Sequence, residues 1–254
     1  MAGAGAVLEY NLVSYKRTWR GTALSSFVLP VLFVLGFGLS VGSMVNTASL
    51  GGGSYLSFIA PGMIATTGMQ VALGEAMYPV MAKFEWIRTY HAMTAAPLSV
   101  VDILVGDMVF IVLRVVIAAA VFLGVTAAFG AVQSWWGLAV MPASALLGVA
   151  VAAPVFAYTA TRESGTNYFA FLQRFVVIPM TLFAGVYYPV DQMPVVLRPL
   201  AWASPLWHGV ELCRGATTGH GNPWALAGHT AYLLAWAVVG LWFAVRLFRR
   251  RLSD

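Results

Sequence analysis

The feature that most constrains this chain is the recurrence of long stretches with almost no charge. A helix must run about 20 mostly apolar residues to cross the hydrocarbon core of a bilayer. Six segments reach that length, roughly 22–45, 56–79, 100–128, 136–160, 167–188 and 224–247. Little is left for a water-facing surface, since 60% of the 254 residues are hydrophobic and only 9% are charged. A soluble domain carries about 25% charged residues. The expected fold is therefore all-α and membrane-integral, with 1–254 forming a single transmembrane domain. Prolines at 30, 61, 142, 154 and 179 fall in or near these segments. They would be costly in a soluble helix and are tolerated in a packed membrane bundle. The GLSVG spacing, Gly38 to Gly42, permits close helix approach, either within the chain or between copies.

Charge sets the orientation. The net charge is +5 and the pI about 9.6. In a soluble protein this balance suggests nucleic acid, but here the cations flank apolar runs, where they report which side faces the cytoplasm. Lys16, Arg17 and Arg20 precede the first span, Lys83 and Arg88 follow the second, and Arg162 follows the fourth. Arg246, Arg249, Arg250 and Arg251 close the chain. Loops 46–55 and 129–135 carry no Lys or Arg, and the fifth loop carries only Arg198 and Arg214. Both termini are expected in the cytoplasm. Val7, Leu8, Leu12, Tyr15 and Trp19 recur at helical spacing before any span. That pattern predicts an amphipathic interfacial helix over 5–20, the alternative being a frayed tail. The charges follow the weak apolar stretch, the reverse of a cleaved signal.

Between the second and third spans lies KFEWIRTYHAMTAAPLS, Lys83 to Ser99. On a helix over 83–96, Trp86, Tyr90 and Met93 share a stripe, with Ile87 beside it. Glu85 and Arg88 are close enough to pair, and Pro97 ends the element. Such a helix either docks a partner or rests its aromatics at the headgroup level. In the fifth loop, apolar Val195, Val196, Leu200 and Trp202 precede Pro205, and PLWHGVELCRG follows it. Two amphipathic pieces broken by proline predict re-entrant half-helices over 189–222, or an ordinary interfacial loop.

In order and spacing, these features together resemble the permease subunit of type 2 ATP-binding-cassette (ABC) exporters, especially the drug-export and nodulation-factor-export branches. The resemblance rests on the surface helix, the six spans and the short cytoplasmic helix. It also rests on PLSVVDILVGD entering the third span and on FAGVYYPVDQMPVVLRPLAWASPLWHGVELCRG, Phe183 to Gly215. It implies a multi-pass protein of the cytoplasmic (inner) membrane. Lys83–Ser99 would then be the coupling helix that enters a cleft of the ATPase, with Phe84, Glu85, Trp86, Ile87, Arg88, Tyr90 and His91 as its contacts. A second permease chain, identical or related, and two ATPase subunits would complete the machine. The resemblance also makes the second and fifth spans line the substrate path. Thr67, Met69, Gln70, Phe171, Leu172 and Phe175 become wall candidates, and helix–helix hydrogen bonding is the alternative for the polar ones. An amphipathic or hydrophobic cargo, whether drug, glycolipid or lipid-like, follows from aromatic and methionine-rich walls.

The chain has no GxxxxGK[ST] loop, and its only lysines are Lys16 and Lys83. ATP and Mg²⁺ would belong to the partner ATPase, and no cofactor, metal or catalytic residue is expected here. HExxH, GxSxG and Cys/His metal spacings are also missing. Cys213 is the single cysteine, and His91, His208, His220 and His229 are scattered. Charges inside spans are expensive and have partners. Glu75, Asp107 and Arg114 are expected to form an acid–arginine cluster, structural or substrate-contacting. A proton-coupled secondary transporter using these three residues is the alternative function. Arg174 is placed near Asn167 and Phe171 on one face of the fifth span.

Overall fold

The structure is a computed structural model and describes residues 2–36, 54–162 and 167–253. The GLSVG spacing and residues 37–45 of the first expected span lie outside these. The helices are α1 (Ala2–Tyr15), α2 (Trp19–Phe33), α3 (Tyr55–Ala76), α4 (Tyr78–Met81), α5 (Thr89–Ala95) and α6 (Val100–Ala128). They continue with α7 (Val140–Ala160), α8 (Asn167–Leu172), α9 (Ile178–Phe183), α10 (Arg198–Trp202), α11 (Pro205–Thr218) and α12 (Pro223–Ser253). No strand occurs among the described residues. Among the described residues, four helical runs are long and apolar enough to cross a membrane: Tyr55–Trp86, Val100–Ala128, Trp135–Ala160 and Pro223–Ser253. At 1.5 Å per residue, the 29 residues of α6 span about 43 Å, more than the ~30 Å hydrocarbon core.

The expected fifth span, 167–188, is shorter and broken. Helix ends at Phe183, and a π turn over Gln173–Val177 separates α8 from α9. Pro179 has no N–H to give the carbonyl four residues back, and the π turn absorbs that mismatch. The expected helix over 5–20 is also divided. α1 stops at Tyr15, residues 16–18 form a turn, and α2 begins at Trp19. One face of α1 packs on the bundle. Val7 and Asn11 are buried, while Leu12 and Trp19 are exposed.

α7 is the hub of the bundle and packs against α12, α3, α6 and α11. Between helices in lipid no hydrophobic drive operates, so close van der Waals contact between small residues takes over. Ala150, Ala152 and Ala153 of α7 are fully buried. A Cβ on Gly240 of α12 would fall 2.8 Å from Pro154 Cδ and 3.0 Å from Ala153 Cβ, so only glycine lets α12 sit at this distance.

The two ends of the bundle differ. Trp135 and Trp136 stand exposed before α7, and Trp224 at the start of α12, as aromatic residues do at a membrane–water boundary. The segment near this end folds back against the bundle. Pro205 opens α11, which packs on α3, α7 and α12. Arg214 holds it in place, with Nη2 donating to the Gly185 carbonyl at 2.9 Å and the guanidinium 4.4 Å from the Phe58 ring. The opposite end carries the cationic tail of α12.

Cys213 lies buried on α11, and burial pushes its thiol up to about 12. Only the thiolate is nucleophilic. Native protein in detergent at pH 8 should therefore resist maleimide labelling and react after denaturation in SDS. Stoichiometric labelling of the folded chain within minutes would mean that α11 does not hold Cys213 inside the bundle.

Candidate functional site

The stretch Lys83–Ser99 is a compact hairpin rather than one helix. α3 breaks at Met77 (φ −93°, ψ −94°), because Pro79 cannot donate to the carbonyl four residues earlier. The Ala76 carbonyl at this break accepts the Thr159 hydroxyl of α7 at 3.1 Å. α4 then runs into a π turn over Ala82–Trp86, closed by the Ile87 N–H on the Ala82 carbonyl at 2.8 Å. Arg88 adopts a left-handed conformation (φ 56°, ψ 29°), the only non-glycine residue at positive φ among those described. This costs backbone energy and reverses the chain. α5 follows and ends at an extended Ala96. Ser99 then caps α6, its Oγ accepting the Asp102 N–H and the Asp102 carboxylate accepting the Ser99 N–H, each at 3.1 Å. That reciprocal pair is a capping box and explains the Pro-Leu-Ser entry to the long helix.

The hairpin separates the expected contact residues into two groups. Trp86 and Ile87 are 61% and 66% exposed, and Arg88 and His91 are exposed beside them. Phe84 and Tyr90 are buried, at 1% and 0% exposure, and face the interior of the hairpin. The left-handed turn at Arg88 is the reason, since it rotates Tyr90 off the Trp86 stripe. Phe84 and Tyr90 instead pack edge-on at 4.8 Å, and Phe84 lies 4.8 Å from Phe248 of α12. Glu85 does not pair with Arg88. It forms an ion pair with Arg251 of α12, whose Nη1 also donates to the Thr159 carbonyl at 2.9 Å and whose guanidinium lies 4.2 Å over Phe84.

Behind the hairpin sits Asp107, 3% exposed. Its Oδ1 accepts Lys83 Nζ at 2.7 Å and Asn11 Nδ2 at 2.6 Å, and its Oδ2 accepts the Tyr90 hydroxyl. Lys83 also donates to Asn11 Oδ1 at 2.8 Å. A buried carboxylate needs such charge-assisted donors. Burial first, then the Asp107 charge, holds the Tyr90 phenol well above its ordinary 10, so it remains a donor at physiological pH. Asn11 reaches Asp107 because α1 lies almost on the α6 backbone. A Cβ on Gly106 would sit 2.6 Å from Val7 Cβ.

Asp107 and Arg114 share a face of α6 but do not pair. Arg114 Nη1 lies 2.7 Å from Glu75 Oε1, and its guanidinium lies 4.4 Å from the Tyr15 ring. The two ion pairs, Lys83–Asp107 and Arg114–Glu75, line one cavity of about 390 Å³ between α1, α3–α4 and α6. The expected three-residue cluster is thus two pairs. The missed members were Lys83 and Asn11. A clue to Asn11 lay in its spacing, one helical turn from both Val7 and Tyr15.

The wall candidates scatter. Met69 is 0% exposed and belongs to the core. Thr67 is half-buried and Gln70 exposed on α3. Phe171 and Phe175 are exposed, with ring centroids 4.8 Å apart, and Leu172 is half-buried. Asn167 and Arg174 are exposed. Two of the histidines meet, with His208 Nδ1 2.8 Å from His229 Nδ1 and His208 Nε2 2.9 Å from the Trp202 carbonyl. The carbonyl requires a proton on His208 Nε2, so His208 Nδ1 accepts from His229.

Known proteins share this arrangement of sequence. The ABC-2 type transporter family pattern matches residues 4–217. Nodulation protein J of Rhizobium leguminosarum bv. trifolii is 33% identical over 247 residues, covering 97% of this chain and 93% of that protein. Nodulation protein J of Neorhizobium galegae is 30% identical over 250 residues, covering 98% of this chain and 94% of its own. That of Rhizobium meliloti (strain 1021) is 30% identical over 249 residues, covering 97% and 93%.

Removing either cation strands an acid, buried at Asp107 and part-buried at Glu75. Breaking a buried pair costs roughly 3–5 kcal/mol. Lys83→Met should cost less, about 2–3 kcal/mol, because Asn11 and Tyr90 still donate to Asp107. Arg114→Ala should destabilise through Glu75 in the same way. Adding Asp107→Asn to the first variant and Glu75→Gln to the second should each recover part of the loss. Melting temperature in detergent reads all four, and single variants as stable as wild type would show both acids to be hydrated.

Proposed function

Because this chain belongs to the ABC-2 type transporter family, we propose that it is the membrane subunit of an exporter powered by separate ATPase subunits. The observation that carries the reading is the Trp86–Ile87–Arg88 tip. Two large apolar side chains and a cation stand exposed on a turn whose interior is locked by buried contacts. An exposed apolar tip on a rigid support favours a docking contact over a headgroup anchor, and Trp and Arg are the residues in which binding energy concentrates. Glu85 stands behind the tip, tied to α12. His91 lies at its edge, while Phe84 and Tyr90 act inside the hairpin.

The supports lead directly into the bundle. Lys83 and Tyr90 reach α6 and α1 through Asp107, and Glu85 reaches α12 and α7 through Arg251. A displacement of the tip by ATP-driven closure of the partner would move these helices together. It would select the outward-open state only if the partner binds that state more tightly. In this reading the chain has six spans, the segments 22–45 and 167–188 completing the four long ones. The cationic end faces the cytoplasm of an inner membrane, with both termini there. A second permease chain completes the pore, and two ATPases bind ATP and Mg²⁺. The cargo is amphipathic or hydrophobic and meets Thr67, Gln70, Phe171, Leu172 and Phe175.

Trp86→Ala and Arg88→Glu change only exposed side chains. Each should leave melting temperature and membrane insertion unchanged, since surface substitutions cost within about 0.5 kcal/mol. Each should reduce co-purification of the ATPase or export by at least ten-fold. Normal association and transport in both variants would make the tip a membrane anchor. The purified chain alone should hydrolyse no ATP, and sustained turnover by contaminant-free protein would refute the assignment of ATP to a partner.

A further inference from the structure

Two apolar cavities flank α7 on its outward face. One, of about 510 Å³, lies between α7, the α8–α9 segment and the start of α11, and includes Val155, Val176 and Phe175. The other, of about 380 Å³, lies between α7 and α12 and includes Ala157, Val239 and Phe243. Both volumes fall in the range of small-ligand sites, about 300–1,000 Å³. They share three walls, Pro154, Tyr158 and Trp236, so they form two parallel troughs on either side of one ridge.

One end of the ridge is charged. Tyr158 lies near the end of α7, its hydroxyl donating to the Tyr168 carbonyl at 3.3 Å. The Arg162 guanidinium is held between the Tyr158 and Tyr168 rings, 4.7 Å from each centroid. Arg162 has no carboxylate partner among the described residues, and its Nε is buried without a hydrogen bond. Thr161, its neighbour in sequence, lines the second trough. A cation held between two aromatic rings, with no carboxylate partner among the described residues, therefore stands beside Tyr158 at one end of the ridge that the two troughs share.

We propose that this is a site for a bilayer glycerophospholipid, with one acyl chain in each trough, Tyr158 between them, and the phosphate on Arg162. The chemistry matches at each point. Two chains need two apolar channels that converge, and a phosphodiester needs a cation at their junction. Guanidinium meets phosphate oxygens with several N–H donors and sheds water readily. The site is separate from the Trp86 tip and does not depend on its role. Its first trough shares Leu172 and Phe175 with the cargo wall proposed above, so the lipid there borders the cargo path. A resident lipid would cover the π turn at Gln173–Val177, the least regular part of the fifth helical segment. It would supply packing to the α8–α9 run, which this chain leaves largely exposed.

The test uses the full chain reconstituted in vesicles of phosphatidylglycerol bearing a photoactivatable diazirine in one acyl chain. Cross-linked peptides are mapped by mass spectrometry. Label should concentrate on segments containing Val155–Tyr158, Phe175–Val176 and Trp236–Phe243, and should saturate with lipid. Arg162→Gln should lower retention of that lipid through detergent washing about ten-fold, the scale of one lost charge-assisted contact. Val239→Trp and Val176→Trp fill the two rims at exposed positions and should each reduce label in their own trough. Val238→Trp, on the same helix but outside both troughs, should change nothing. Melting temperature checks every variant, and the two rim substitutions keep the test decisive if Arg162→Gln does not fold. Label equally dense on the exposed Val101–Val105–Val109 face and indifferent to all variants would mean ordinary annular lipid and overturn the proposal. So would unlabelled troughs combined with a disulfide between two copies of a Phe175→Cys chain, which would show a second copy covering them.

Discussion

The arrangement of the cationic end turns on one buried carboxylate. Asp107 sits in the first half of α6, between Asp102 and Arg114, and is buried where an unpaired charge would be costly. Its three donors come from three different parts of the chain: Asn11 from α1, Lys83 from the π turn and Tyr90 from α5. Satisfying Asp107 thus fixes where the first helix lies and how the hairpin folds back. Lys83 is doubly engaged, because Asn11 accepts from it as well as donating to Asp107. The network is closed, and a closed polar network is rigid in a low-dielectric setting. Rigidity here is what leaves Trp86, Ile87 and Arg88 projecting as a single unit.

Around that node, the bundle is regular where helices must slide close together and irregular where they must turn. Close approach is bought with small residues, as at Gly106 under Val7 and Gly240 against Pro154. Irregularity appears at Met77, at the π turns over Ala82–Trp86 and Gln173–Val177, and at Arg88. Two of these breaks follow from prolines, Pro79 and Pro179, each removing a backbone donor in the middle of an apolar run. At the first break the Ala76 carbonyl accepts the Thr159 hydroxyl of α7. The hairpin break and the fifth segment meet, with Tyr78 packing edge-on against Phe169 at 4.8 Å.

The legibility of the chain followed the range of the interaction concerned. Four of the long apolar runs were readable because span length depends on local hydropathy alone. The start of α6 was readable too, since Ser99 and Asp102 are three residues apart and cap one another. The aromatic face of 83–96 was misjudged because helical spacing assumes an uninterrupted helix, and the left-handed Arg88 removes that assumption. Glu85 was given the wrong partner for a related reason. Arg251 competes with Arg88 from 166 residues away, and no local pattern reports such a contact.

What the sequence by itself determined is the helical, membrane-bound class, the clustering of cations beside particular runs, and the lack of a phosphate-binding loop. These depend on composition and on spacing within one turn of helix, quantities the chain carries before it folds. Tertiary structure alone decided which acid met which base. Asp107 shared a helix face with Arg114 by spacing, and Glu75 could reach it only by the packing of two spans. The close seating of α1 on Gly106 brought Asn11 alongside Lys83 at Asp107, leaving Arg114 to Glu75. The same packing placed Phe84 and Tyr90 inside and Trp86 outside, because a side chain's exposure depends on the helices around it, and those come from the far ends of the chain.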